Sequence, residues 1–281
     1  MSEVEIIVAP FHAGAPEVRV GRGPARLLRE GLAERLGARV TTIAPVDGFE
    51  GEIGRSFEVK RRVARAVADA VAGGRFPVVL AGNCNVSIGV HAGLAAPDAG
   101  VVWFDAHPDF DTPDEAMSGY FDGMGAATLT GQCWRGLAAS IPGFRPLPEE
   151  RLVWCGVRDF EHGQDDKVRA SAGAAVFGGR NTPVELASAL DEALDAAPFN
   201  AALIHLDLDV LDVSVGRANE YAAPGGLTAD GLDACLRTAC ERVRPLALTV
   251  ASFNPDLEGA DAIARAGVRA IERVVSSAAG A

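Results

Sequence analysis

An apolar segment that ends in evenly spaced polar residues limits most strongly how this chain can fold. Residues 101–104 are hydrophobic, which is typical of a buried strand, and Asp105, His107 and Asp109 follow directly. In an extended chain, residues two apart share a face, so these three side chains converge on one point. Two carboxylates and an imidazole aimed at one place outline a metal site; a strand end with solvated acids is the alternative.

A second acidic segment favours the metal site. Asp207 and Asp209 lie on one face of another apolar stretch, with Leu206 and Leu208 on the opposite face. Aspartates buried together near two strand ends repel one another, and each costs several kcal/mol unless a cation neutralises it. Two divalent cations would do so.

Apolar segments alternate with helical patterns along the whole chain. The pattern predicts, among others, a strand over Val4–Ala9, a helix from Pro24 to about Leu36 and a strand over Ala201–Asp209. Such alternation predicts an α/β fold, a three-layer αβα sandwich with a central, mostly parallel sheet of about eight strands. Ligands bind at the carboxyl ends of strands in such sheets, which is where the acidic segments fall. No linker or repeat is found, so we expect one domain over residues 1–281.

Composition narrows the function classes. The net charge of −12 argues against nucleic acid as a partner, because phosphate binding needs a basic surface. No apolar run approaches the roughly 18 residues of a membrane span, and no signal sequence precedes the first strand. The five cysteines are scattered and odd in number, so a disulfide framework is not expected. We expect a soluble cytoplasmic protein.

Together the two acidic motifs resemble those of the arginase/agmatinase/formimidoylglutamase (ureohydrolase) family. Asp-Ala-His-x-Asp stands at residues 105–109, Asp-x-Asp-x-x-Asp at residues 207–212, and the likeness extends from residue 21 to residue 255. The resemblance implies an arginase-like fold, a trimeric or hexameric homo-oligomer, and two divalent cations, Mn²⁺ in this family. It implies hydrolysis of a C–N bond in a guanidino or amidino compound. It also implies the metal ligands Asp105, His107, Asp109, Asp207 and Asp209. Among these we assign catalytic roles to His107 and Asp109.

Cys84 departs from the family pattern. Gly82-Asn83-Cys84 resembles the start of the family's Gly-Gly-Asp-His-Ser segment with Cys at the place of a ligand His, and some members also carry Cys there. Without the resemblance, a small buried hydrophobe is the ordinary interpretation. A thiolate would add a fifth negative charge to four aspartates, and it favours Zn²⁺ or Fe²⁺ over Mn²⁺. Either the metal identity changes, or Cys84 stays a thiol and the metal at that position binds weakly.

Asp122 and Ser252 depart from the pattern as well. Residues 118–123 resemble the family's Ser-Gly-x-x-His-Gly segment, in which the His is a proton shuttle, and Asp122 stands in its place. A buried carboxylate with a raised pKa can carry a proton, whereas a solvated turn residue is the alternative. Ser252 replaces the Glu of Glu-x-Asn-Pro, which removes a charged hydrogen bond of about 1.5–3 kcal/mol to a substrate cation. A neutral amide or a hydroxyguanidine then fits better than arginine.

The substrate pocket is predicted from the long polar loop over residues 112–125 and from family positions. Its predicted contacts are Asp111, Ser118, Glu161, Tyr221 and Ser252. Arg158 and the Pro-Gly-Gly-Leu-Thr segment at residues 224–228 match the family, and we expect structural roles for them.

The remaining histidines carry weaker predictions. His205, two residues before Asp207, is interpreted as a supporting or core residue; His12 and His162 are placed at the pocket mouth, and His91 on a helix surface.

A catalytically silent structural or regulatory protein is the rival to the hydrolase, because three chemically important positions differ from the family pattern. The four retained aspartates argue against it, since an unused cluster of buried acids destabilises the fold.

Overall fold

A parallel sheet forms the centre of the molecule in a computed structural model, which describes residues 3–49, 51–116, 118–161, 163–179 and 183–280. The strands are β1 Val4–Ala9, β2 Phe11–His12, β3 Ala15–Pro16, β4 Arg39–Thr42, β5 Phe76–Ala81, β6 Gly100–Phe104, β7 Leu152–Val157, β8 Ala174–Phe177, β9 Ala201–Asp207 and β10 Arg244–Ala251. The central sheet has the order β4-β1-β5-β10-β9-β6-β7-β8 with parallel neighbours, and β2 and β3 form a separate antiparallel pair.

Helices cover both faces of this sheet. They are α1 Gly23–Leu28, α2 Leu32–Leu36, α3 Gly51–Ala72, α4 Ser87–Leu94, α5 Gly125–Leu129, α6 Arg135–Ala138, α7 Gln164–Ala170, α8 Pro183–Ala196, α9 Ala229–Arg242 and α10 Ala260–Gly280. Successive strand residues point to opposite faces, so Ile6 packs into one core and Ile7 into the other. Helices α1, α2 and α8–α10 bury residues in the first core, and α3–α7 in the second. The predicted three-layer α/β fold is confirmed.

The prediction of one helix from Pro24 to Leu36 was wrong. Helices α1 and α2 are separated at Gly31, whose φ of +77° is a left-handed conformation. Glycine adopts this conformation without steric cost, and it ends the helical hydrogen-bond ladder. The helical spacing of apolar residues therefore continues across the interruption between the two helices. The residues concerned are Leu27, Leu28, Leu32 and Leu36.

The predicted strand over Ala201–Asp209 was too long. Strand β9 ends at Asp207, and residues 208–210 form a 3₁₀ turn that buries Leu208 and Asp209. The Asp207 side chain accepts the N–H of Asp209 at 2.8 Å, which starts the turn.

Strands β5, β6, β9 and β10 lie side by side, so their carboxyl ends bring Cys84, the two acidic segments and Ser252 to one edge of the sheet. No helix in the described ranges is long and apolar enough to cross a bilayer.

Candidate metal centre

The two acidic segments begin with the same local turn. Oδ1 of Asp105 accepts the N–H of His107 at 2.7 Å, as Oδ1 of Asp207 accepts that of Asp209 at 2.8 Å. Both aspartates directly follow or end a buried strand, and each turn folds the next polar side chain back over the strand end. These turns, and not strand alternation, bring Asp105 and His107 together with Asp209. Asp109, expected at the same point, is buried in the pocket wall and does not belong to this close group of donors.

Asp105, His107 and Asp209 form one group of donors. One ligand atom from each lies within 4.8 Å of the others, and His107 Nδ1 is 3.4 Å from Asp105 Oδ1 and 3.3 Å from Asp209 Oδ2. The indole N–H of Trp103 donates to Asp105 Oδ2 at 3.0 Å. The amide of Asn219 donates to Asp209 Oδ2 at 2.8 Å. These bonds orient the two carboxylates.

Cys84 closes the other side of the centre. It opens a 3₁₀ turn after β5, and its Sγ lies 2.8 Å from Asp207 Oδ2 and 3.4 Å from Ser252 Oγ. Ligand atoms of Cys84, Asp105 and His205, all buried, also lie within 4.8 Å of one another. Asp105 belongs to both donor groups and therefore joins them.

The acids of the centre destabilise one another's charged forms. Burial, together with the charge of Asp209, raises the pKa of Asp105 to about 7. Burial and neighbouring aspartates raise the pKa values of Asp109 and Asp207 well above the ordinary range. The pKa of the Cys84 thiol is raised by burial and by Asp207. A divalent cation would hold these groups deprotonated, and carboxylate, imidazole and thiolate are suitable ligands for it. The donor set thus fits a metal.

His107 and Asp209 behave as an ion pair within the cluster. Burial alone lowers the pKa of His107, but the charge of Asp209 and hydrogen bonds to carboxylates raise it well above its ordinary value. Burial conversely raises the pKa of Asp209, and the opposing effect of His107 leaves it far below the usual range. A bound metal ion would supply the positive charge next to Asp209 that protonated His107 supplies without it.

Asp122 is not the solvated turn residue of the alternative interpretation, since it is only 5% exposed. Its Oδ2 accepts from Asn83 Nδ2 at 2.6 Å and from the Cys84 N–H at 3.1 Å, and its Oδ1 accepts from the Asn85 N–H at 2.9 Å. Burial raises the pKa of Asp122 although these hydrogen bonds oppose it. Asp122 therefore anchors the turn that carries Cys84.

Comparison with known proteins identifies the family. A sequence model described as the arginase family matches residues 2–276. The chain belongs to the arginase family. It is 30% identical over 290 residues to the arginase of Eremothecium gossypii, which covers 92% of this chain and 71% of that one.

Solved structures share the fold of this arginase-family protein. The Bacillus subtilis arginase superposes with a TM-score of 0.84 at 23% identity, over 97% of this chain and 98% of that one. The proclavaminate amidino hydrolase of Streptomyces clavuligerus superposes with a TM-score of 0.72 at 16% identity, over 99% of this chain and 93% of that one. The family consists of hydrolases of non-peptide C–N bonds of the amidine type, and the chain belongs to this enzyme class.

The pocket above the centre is small and acidic. Its cavity volume is about 110 Å³, and its walls include most of the predicted site residues, although Asp105 is not among them. All five predicted substrate contacts line it: Asp111, Ser118, Glu161, Tyr221 and Ser252. His12 lines it too, as expected, and His162 lies outside the described residues. No Lys or Arg appears among the described lining residues, so the pocket disfavours anions.

Arg158 has the structural role expected for it in the family. Its guanidinium donates to the main-chain carbonyl oxygens of Asp209 at 2.8 Å, Ala223 at 3.0 Å and Pro224 at 3.2 Å. Asp209 belongs to the metal centre and residues 223–224 to the following loop, so this side chain ties the two together.

His205, interpreted from the sequence as a supporting or core residue, lies in the core beside the centre. It is fully buried, its ring stacks on Trp103 at 3.7 Å between centroids, and its Nδ1 is 2.8 Å from Ser87 Oγ. Nε2 of His205 is buried and has no hydrogen-bond partner within the described part of the chain. His91, expected on a helix surface, is in fact half-buried on α4 with its Nδ1 also buried and unpaired.

Proposed function

We propose that this protein is a metal-dependent hydrolase that uses two divalent cations to cleave a C–N bond in a small, neutral or weakly basic guanidino or amidino compound. One observation carries the proposal. Buried donors of the metal-binding type, linked through Asp105, converge at the floor of a pocket that opens at the carboxyl edge of the sheet. Membership of the arginase family supports it.

The residues divide between the two cation positions. Asp105, His107 and Asp209 would hold one cation, and Cys84 with Asp105 would contribute to the second. We assign Asp109 and Asp207, both buried beside them, to the same centre. When bound, divalent cations lower the pKa of a water molecule and polarise the carbon that it attacks. Mn²⁺ is the family metal, whereas a Cys84 thiolate favours Zn²⁺ or Fe²⁺.

His107 is oriented for ligation by the residue behind it. Its Nε2 is 3.5 Å from Asp159 Oδ2, while its Nδ1 faces Asp105 and Asp209. A carboxylate behind a ligand imidazole holds the proton on the distal nitrogen and keeps the proximal one free for metal. We propose catalytic roles for His107 and Asp109 as members of this metal centre.

Asp122 takes two proposed roles. Its hydrogen bonds position Cys84, and its raised pKa lets it hold a proton close to the centre. A group with a pKa nearer to neutrality is a better proton donor to a departing nitrogen than an ordinary aspartate.

The pocket walls support a neutral or weakly basic substrate. Ser252 has no charge to pair with a guanidinium, and Glu220 is paired with Arg19 Nε at 3.0 Å and with Asn254 Nδ2 at 3.0 Å. The rings of Tyr120 and Tyr221, 5.2 Å apart between centroids, border the same cavity. These rings suit contact with a planar, nitrogen-rich group.

The test begins with elemental analysis after incubation with Mn²⁺, Zn²⁺ or Fe²⁺, followed by turnover of guanidino, hydroxyguanidino and amide compounds with each metal. We expect about two ions per chain and turnover that stops in Asp207→Ala but continues in the surface control Asp230→Ala. A cation at a hundredfold excess over its Kd stabilises the fold by about 2.7 kcal/mol, so for a chain of this size EDTA is expected to lower Tm by about 5 °C per ion.

Full activity in Asp207→Ala would refute this mechanism. Near-zero metal under every condition, with no effect of EDTA on Tm, would instead support the catalytically silent protein.

The proposed assembly and location are supported by family membership alone. We infer a cytoplasmic homo-oligomer, trimeric or hexameric, built from a single domain over residues 1–281. Light scattering coupled to size exclusion would show a mass of three or six chains.

A further inference from the structure

The imidazole of His205 lies at the centre, but the family motifs assign it no role. His205 is fully buried on β9, two residues before Asp207 and therefore on the same face of the strand. Its Nε2 is buried with no hydrogen-bond partner among the described residues. An unpaired buried ring nitrogen is costly, since it has lost water and gained nothing in exchange. A ligand that it binds would remove the cost.

The ring is held so that only this nitrogen is available. Trp103 stacks against the ring face at 3.7 Å between centroids, and Ser87 Oγ lies 2.8 Å from Nδ1. A neutral imidazole with its proton on Nδ1 donates to Ser87 and presents the Nε2 lone pair. Metal-binding histidines are commonly fixed in this way by a hydrogen bond from the distal nitrogen.

The His205 ring lies beside the thiol that replaces the family's histidine. A ring nitrogen of His205 is within 4.8 Å of both Cys84 Sγ and an Asp105 carboxylate oxygen. Cys84 Sγ in turn contacts Asp207 Oδ2 at 2.8 Å. Cys84 Sγ thus lies close to Asp105 and His205 on one side and contacts Asp207 on the other, and Nδ1 of His205 is already engaged by Ser87.

We propose that His205 Nε2 is a metal ligand, and that it forms with Cys84, Asp105 and Asp207 a cation site of mixed sulfur, nitrogen and oxygen donors. The inference rests on the proposed metal-dependent function and extends it. The imidazole that the chain lacks at residue 84 is supplied from β9, which lies one strand beyond β10 from β5, with Ser87 as its positioning residue. A thiolate and an imidazole together favour Zn²⁺ or Fe²⁺ over Mn²⁺.

The test compares Zn²⁺ binding by wild type, His205→Gln and the control His91→Gln, with affinity from competition against a chromophoric chelator and stoichiometry from elemental analysis. His91 is a suitable control, because it is half-buried with an unpaired ring nitrogen but belongs to neither donor group. We expect two ions in wild type and His91→Gln. In His205→Gln we expect the affinity of one site to fall at least tenfold and the other site to be retained.

Ser87→Ala tests the positioning role. Loss of a hydrogen bond behind a ligand imidazole typically weakens metal binding by about 10–100-fold, so we expect a weaker second site with both ions still bound at high Zn²⁺. In Co²⁺-loaded wild type we expect a thiolate charge-transfer band. The visible ligand-field bands should shift in Ser87→Ala, which a merely structural hydroxyl would not cause.

Two outcomes separate this inference from the proposed function. Two tightly bound ions in both wild type and His205→Gln would overturn the inference alone; no bound ion in wild type would overturn the function and the inference together. If His205→Gln fails to fold, X-ray absorption of zinc-loaded wild type decides. One sulfur at about 2.3 Å with scattering from two imidazoles per two ions supports the assignment, and scattering from one imidazole refutes it.

Discussion

Ser252 Oγ lies 3.4 Å from Cys84 Sγ, so two of the positions at which this protein departs from the family motifs are in contact. The Ser252 N–H also donates to the carbonyl of Gly82 at 3.0 Å, which fixes the two segments against each other. A glutamate at residue 252 would place a second acid against a thiol that already contacts Asp207. The two departures therefore depend on each other electrostatically.

We predict that restoring the family residue at position 84 or at position 252 alone does not produce Mn²⁺-dependent hydrolysis of agmatine or arginine. Restoring both residues together should produce it. Ser252→Glu alone should lower stability and metal affinity, because its carboxylate faces an already acidic cluster. Cys84→His with Ser252→Glu should increase Mn²⁺-dependent hydrolysis of agmatine or arginine beyond either single variant. The coupling measured in a double-mutant cycle should be about 0.5–3 kcal/mol. Additive effects would contradict the dependence.

We predict that Cys84→His alone shifts metal preference toward Mn²⁺. Replacing a soft thiolate by an imidazole lowers the relative affinity for Zn²⁺, since sulfur ligands account for much of that preference. Competition between the two ions, followed by elemental analysis, measures the change. Cys133→Ser is the matched control, because Cys133 is also buried and contacts Thr128, away from the centre. An unchanged ratio in Cys84→His would show that the thiol is not a ligand.

We predict that Asp122→Asn destabilises the fold by about 1–3 kcal/mol. The carboxylate accepts three hydrogen bonds through two oxygens, and an amide leaves at least one buried N–H group facing another donor. Urea unfolding of the metal-free protein measures the loss. Asp111→Asn is the control, since Asp111 accepts a side-chain hydrogen bond from Gln164 at 2.6 Å that the amide oxygen of an asparagine can still accept. Wild-type stability with lost turnover would indicate a proton-transfer role alone.

We predict that Lys60 makes stability rise with pH. Lys60 is fully buried between the rings of Phe57 and Phe121, with its Nζ 4.9 Å and 4.6 Å from their centroids. Burial lowers its pKa to about 7, although Asp122 and Glu52 oppose this. Between this value and the ordinary lysine pKa the unfolded state binds more protons, so raising the pH favours the folded state.

The variant Lys60→Met removes this dependence. Wild-type stability should gain about 2 kcal/mol relative to Lys60→Met between pH 7 and pH 9, and Lys60→Met should be the more stable protein at pH 7. Urea unfolding at both pH values measures the difference. Parallel pH profiles for the two proteins would mean that Lys60 keeps an ordinary pKa.

Much of the architecture could be predicted from local patterns. Short apolar segments such as Val4–Ala9 form strands wherever both faces are covered, and helical spacing identifies the segments that cover them. Parallel strands place their carboxyl ends on one edge, so an acid that directly follows such a segment must lie near the site. Asp105 and Asp207 were predicted on this basis, and both lie at that edge.

Other features depend on contacts between distant segments. Asp122 caps the Cys84 turn across 38 residues, Cys84 meets Ser252 across 168, and Ser87 orients His205 across 118. The pattern of apolar and polar residues along the chain does not predict these contacts. Each contact depends on how strands β5, β9 and β10 and their loops pack side by side. The identities of the acids at the strand ends were thus determined by the sequence alone. Which nitrogen or sulfur faces them was decided by the tertiary structure, since burial removes water and leaves each polar atom only the partners that packing brings within reach.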